Sequence, residues 1–224
     1  MDTWVRWAGG CWIAAGVLLL AELAHPDALA IGFAESSRQT LWPALHVAWV
    51  LAMIATLFGL AGLVAWFGPA LGRLGAAGVL LAVPGLVVAA GLFLTEAFVF
   101  PVLAREDPAL LDLDGLILSS APIRLTAGLV GLWSLGLVLI GVAIERARLL
   151  PRGTGMLLAV STVLFAALEG PFLPVAGDIV VVLFAAAHVR LGAALVGAAR
   201  STGFGSANER GPAGGQPATG ERTT

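Results

Sequence analysis

Three glutamates recur at the same place in the sequence pattern. Glu22, Glu96 and Glu169 each stand near the end of a long apolar run, and a proline follows each within a few residues: A-E-L-A-H-P, L-T-E-A-F-V-F-P and L-E-G-P-F-L-P. Glu96 follows Glu22 by 74 residues, and Glu169 follows Glu96 by 73. A fixed period of this kind predicts one helical hairpin used three times, with an acid at the same depth each time. Carboxylates gathered in a water-poor site suit two kinds of chemistry. They can hold a cation, or they can trade a proton as general acid and base.

The intervening apolar runs carry polar residues near their starts. His46 lies three residues past Pro43, Arg124 two past Pro122 and Asp178 four past Pro174. At about 1.5 Å per helical residue, these sit within about 6 Å of one another in depth. A compact bundle would therefore gather Glu22, His46, Glu96, Arg124, Glu169 and Asp178 in one half. Glu96, Glu169 and Asp178 are the candidate acids and bases. Glu22, His46 and Arg124 are the candidate ligand-binding groups, with Arg124 expected to pair with Glu96 or Asp178. Each has a plainer reading beside it. A glutamate at a helix end can simply mark the headgroup region, and a lone histidine in an apolar run is most often a hydrogen-bonded core residue.

His188 lies ten residues beyond Asp178, about 15 Å deeper. It is too far in depth from His46 to share a haem with it, and its expected neighbours are Arg190 and the inner headgroups. The chain has no H-E-x-x-H, no P-loop, no G-x-G-x-x-G after a strand and no G-x-S-x-G. No metal site and no cofactor is expected. Glu145, with Arg146 and Arg148, reads as a solvated helix end.

The elements that must position these residues follow from composition. The 224 residues are 59% hydrophobic and 12% charged, with mean hydropathy +0.96. Soluble domains carry about 25% charged residues, so the apolar excess points to lipid. A net charge of −2 gives no reason to expect a nucleic-acid partner. Cys11 is the one cysteine, which excludes an intrachain disulfide and predicts a buried, inert thiol.

A span needs about 20 apolar residues. Six candidates follow: Trp4 to Leu23, Pro43 to Phe67, Gly75 to Phe100 with a kink at Pro84, Pro122 to Ile144, Thr154 to Glu169, and Phe172 to Ala198. Trp4, Trp7 and Trp12 read as an interfacial aromatic belt. A cleavable signal peptide ending near Ala30 is the alternative for the first run, and the repeat argues against it. His25 to Leu41 reads as a loop. Asp107-Pro108 opens a short helix lying on the membrane surface. Residues 1–199 form the six-helix domain, and the Gly- and Pro-rich segment 200–224 reads as a disordered cytoplasmic tail.

Arg6, Arg73, Arg146, Arg148, Arg152 and Arg200 fall on one side, Arg38 and Arg105 on the other. The positive-inside rule then puts both termini in the cytoplasm and the three glutamates at the outer helix ends. Small residues four apart, namely Ala55/Gly59, Ala127/Gly131 and Ala193/Gly197, are the expected helix contacts.

The stretches G-L-V-G-L-W-S-L-G-L-V-L-I-G (Gly128 to Gly141), R-L-L-P-R-G-T-G-M-L-L (Arg148 to Leu158) and A-G-G-C-W-I-A-A-G near the start resemble an uncharacterised family of bacterial six-helix membrane proteins frequent in actinobacteria. The resemblance implies six helices and a plasma-membrane location. It implies no activity, and the outer acids are not part of it.

The expectation is an all-α multi-pass plasma-membrane protein with an acid-rich pocket for a small cationic or polar ligand, which it binds or moves. The alternatives are a membrane-embedded acid–base enzyme, of isomerase or cyclase type, on a lipid-like substrate, and a scaffold or partner subunit without chemistry. Membrane lipids are the expected partners. Composition and spacing set no oligomeric state.

Overall fold

The computed structural model describes residues 2–169, 173 and 175–208. The described residues are helical, with no strands. The elements are α1 (Asp2–Leu19) continued by a 3-10 turn (Leu20–Ala24), the short α2 (Ala28–Ile31) and α3 (Phe33–Ser37), α4 (Trp42–Phe98), α5 (Phe100–Glu106) with a 3-10 turn (Pro108–Leu111), α6 (Ala121–Ala147), α7 (Thr154–Leu168) and α8 (Ala176–Asn208).

The second and third expected spans are the two halves of a helical hairpin, α4, that meet at Gly72. α4 is 57 residues long and leaves helical geometry at Gly72 alone, with φ 62° and ψ −164°. Only glycine adopts that backbone without strain. One residue therefore reverses the chain between the two expected spans that end at Phe67 and begin at Gly75. Pro84 stays within helical geometry. The hairpin is closed at its far end by the Trp42 indole, which donates to the Glu96 carbonyl at 2.6 Å.

α1 packs on α4 and α8, α4 on α6, α6 on α7, and α7 on α8. Six helical rods, counting α4 as two, therefore form a closed ring. Four of these elements hold stretches long and apolar enough to cross a membrane, and the stretch through α4 and α5 is 65 residues long. α7 is shorter, at 15 residues.

Glycines set the closest approaches. A methyl on Gly9 or Gly16 of α1 would lie 2.6 Å from a carbonyl oxygen of α8, that of Gly192 or Ala185. On Gly78 it would lie 2.8 Å from the Gly136 carbonyl oxygen, and on Gly141 2.5 Å from that of Gly155. Such close backbone approach brings many atoms of the two helices into dispersion contact. Gly59 also packs closely, against Trp12, but Gly131 and Gly197 have nothing within 4 Å of an added methyl. Two of the three expected small-residue pairs are thus not contacts. Spacing of four defines a face but does not say which face meets a neighbour.

The core runs through Trp12, Trp49, Met53, Trp133, Phe184 and Leu191. Trp12 is fully buried in it, which removes it from the expected belt, while Trp4 and Trp7 are exposed. Cys11 is half-buried. His188 is also fully buried, against Trp12 and Phe184. Arg190 turns away from it to Thr154 and the Arg152 carbonyl. Glu145 is not a free helix end: its carboxylate accepts from the Gly153 amide at 3.0 Å and the Met156 amide at 3.4 Å, capping α7.

The expected loop His25 to Leu41 instead contains α2 and α3. Asp27 starts α2 by accepting from the Leu29 and Ala30 amides. α3 meets α5 and its 3-10 turn, with Phe33 and Ala34 packed against a second apolar cluster of Trp42, Phe100, Ala104 and Leu111. Leu111 is buried, so the segment after Asp107 forms part of a lid rather than a separate surface helix. Arg38 fastens the lid through two donors to the Ala104 carbonyl and one to Glu35. α8 continues to Asn208, beyond the expected end at Ala198. The tail from residue 209, and the Gly170–Phe172 and Pro174 positions, lie outside the described residues.

Candidate functional site

Under the lid lies a cavity of about 340 Å³ lined by all three recurrent glutamates. Helical phase explains who reaches it. Trp42, His46 and Trp49 occupy one face of the first half of α4, and Phe93, Glu96 and Phe100 one face of its second half and α5. Ile123, Ala127, Val130 and Trp133 form the α6 wall. Glu22 enters from the 3-10 turn after α1, and Glu169 from the end of α7. Gly177 leaves room for Glu169, because any methyl there would strike its Oε2.

His46 and Glu96 face each other, with Nε2 and Oε2 3.2 Å apart and both side chains largely buried. The other His46 nitrogen, Nδ1, is 2.8 Å from the Trp42 carbonyl oxygen. A carbonyl only accepts, so Nδ1 carries a hydrogen. That tautomer points Nε2 at the Glu96 carboxyl. Glu22 sits beside Glu169 and within electrostatic reach of Glu96. The Trp49 indole N–H faces the Glu22 carboxyl without closing a hydrogen bond to it.

His25 completes the polar end. Its Nδ1 donates to the Pro26 carbonyl at 2.9 Å and lies 3.9 Å from Glu22 Oε1. Its ring packs edge-on to His46 at 5.3 Å and against Trp42 at 4.9 Å. Sequence reasoning missed His25 because H-P after an acid reads as the start of a loop. The signal available was its i+3 spacing from Glu22.

Two expected members do not join. Arg124 is exposed, and its neighbour Ile123 takes the cavity-facing position. Asp178 is exposed beside buried Gly177; it acts on Glu169 from outside the cavity. Both residues lie at the expected depth but about 100° away in helical phase. Glu96 therefore pairs with His46, not with Arg124. Among the described residues no Arg lines this cavity, and no group of three or more His, Cys, Asp or Glu is arranged to hold a metal ion.

Away from the acids the walls are aromatic. Trp49 stands 5.1 Å from Phe93, 5.8 Å from Phe165 and 6.4 Å from Trp133. No family model matches the chain, and no curated protein or solved structure is similar to it.

Proposed function

We propose that the chain is a multi-pass plasma-membrane protein, with both termini cytoplasmic, that binds or moves a small cationic or polar ligand in this pocket. The observation that carries the reading is the convergence of Glu22, Glu96 and Glu169 with His46 on one cavity that no Arg lines among the described residues. Three carboxyl groups outnumber the two imidazoles that line the cavity, and a positive guest is the natural counter-charge to that excess of acid. The exposed apolar side chains, such as Phe58, Leu80, Val87 and Ile179, support a lipid-facing surface. Arg73, Arg146, Arg148, Arg152 and Arg200 cluster toward the end opposite the lid, which by the positive-inside rule is cytoplasmic.

The test is equilibrium binding to the purified full chain in a nonionic detergent, read by tryptophan emission, since Trp42, Trp49 and Trp133 line the cavity. Ammonium, guanidinium and sodium salts are compared with acetate and phosphate salts at constant ionic strength. A saturable response to a cation, lost in the Glu22→Gln/Glu169→Gln variant, supports the reading. A response to the anions alone overturns it.

A second reading rests on the His46–Glu96 pair. An imidazole oriented by a backbone carbonyl and facing a carboxyl at 3.2 Å has the geometry of a proton donor and acceptor. It supports an acid–base enzyme acting on a lipid-like substrate. Turnover of such a substrate, abolished in His46→Gln, would favour it over simple binding.

A further inference from the structure

Resting on the cation-binding reading, we infer that the pocket takes an organic ammonium ion with a short apolar arm. The arm lies along α6 and the charge at the glutamate end.

The donor geometry distinguishes this guest from a bare metal ion. Calcium needs six to eight oxygens at about 2.3–2.6 Å, and magnesium a near-octahedral set at about 2.0–2.1 Å. The cavity acids come from three separate elements and form no such group among the described residues. An ammonium carrying methyl or methylene groups needs no inner-sphere ligands. It is held by ring faces within about 6 Å and by carboxylates at longer range. Both are present. Glu22, Glu96 and Glu169 stand at one end, and Trp49, Phe93 and Phe165 form a connected aromatic wall next to them.

Shape points the same way. A volume of about 340 Å³ is at the small end of small-molecule pockets, about 300–1,000 Å³. It admits a headgroup and one short arm, not a whole phospholipid. The side of the cavity is open at α6, where Ala127 lines the cavity and is itself exposed. α6 and α7 are in backbone contact at Gly141 and Gly155, whereas Gly128 and Gly131 nearer the lid have nothing within 4 Å of an added methyl. An apolar arm reaching this gap meets Ile123, Ala127 and Val130 and then lipid. A guest with both a charge and an oily tail fits such a boundary position.

The test is calorimetric titration of the full chain in a maltoside detergent, which carries no competing ammonium. The probe is benzyltrimethylammonium, compared with tetramethylammonium, sodium and the uncharged isostere neopentylbenzene. Benzyltrimethylammonium is expected to bind at one site, on the order of tenfold or more tighter than each comparator, and to weaken on the order of tenfold in Trp49→Leu but less in Trp49→Phe. If tetramethylammonium or sodium binds as tightly, the pocket still reads charge and the apolar-arm assignment is wrong. If neopentylbenzene binds as tightly, or no cation binds, both this inference and the cation-binding reading fall. The probe series on the unaltered chain decides these outcomes even where a tryptophan variant does not fold.

Discussion

His46 Nε2 and Glu96 Oε2 face each other at 3.2 Å across the two halves of a single hairpin, while the Trp42 indole beside them binds the Glu96 carbonyl. Side chain and backbone of one glutamate are thus both held by the opposite rod. Gln at position 96 can still donate to His46 Nε2; Leu cannot, and it leaves a buried ring nitrogen unpaired. Glu96→Leu is expected to cost about 1–3 kcal/mol of stability and Glu96→Gln less, checked by thermal melting in detergent. Equal losses would mean that the contact carries no hydrogen bond.

The glycine contacts divide into two classes. Gly16→Ala and Gly141→Ala force a methyl into a neighbouring backbone and are expected to destabilise by about 1–3 kcal/mol. Gly131→Ala and Gly197→Ala meet open space and should stay within about 0.5 kcal/mol. The same melting measurement on all four variants is sufficient.

That division also shows what was legible from sequence. Small residues at the right spacing are everywhere in a chain with 29 glycines, so spacing alone could not select Gly141 over Gly131. Depth was legible, because an apolar run counted from a proline is a ruler. Glu22, His46, Glu96 and Glu169 reach one cavity for that reason. Phase was not legible, because 100° of rotation separates Arg124 from Ile123 with no change in the count. The lid was missed because its helices are too short to show periodicity. Trp49 reads in the sequence as one more apolar residue.

Gly72 makes the hairpin turn with a backbone that side chains resist. Gly72→Ala is expected to cost about 1–3 kcal/mol. Gly68→Ala, which would meet only the Val64 side chain at 3.6 Å, should cost far less. Comparable melting temperatures for the two would show that the turn tolerates a side chain.

Glu145 holds the start of α7 through the Gly153 and Met156 amides. Glu145→Ala should speed hydrogen exchange at those two amides while leaving the Trp49–Phe93 region protected. Unchanged exchange at Gly153 would remove the capping role.

The orientation is checked by reporter fusions. Fusions after Arg38 and between Asp112 and Asp114 are expected to report the outside; fusions after Arg73 and Arg148 the inside. A reversed pattern would turn the acid pocket toward the cytoplasm.

The bundle and its lid have separate apolar cores. They can therefore lose structure separately, by a local opening that costs less than global unfolding. The cavity can become accessible from the lid side while the ring of helices stays intact. The strap between Arg38 and the Ala104 carbonyl ties α3 to α5 within the lid, so Arg38→Ala is expected to speed hydrogen exchange there while the ring of helices stays protected.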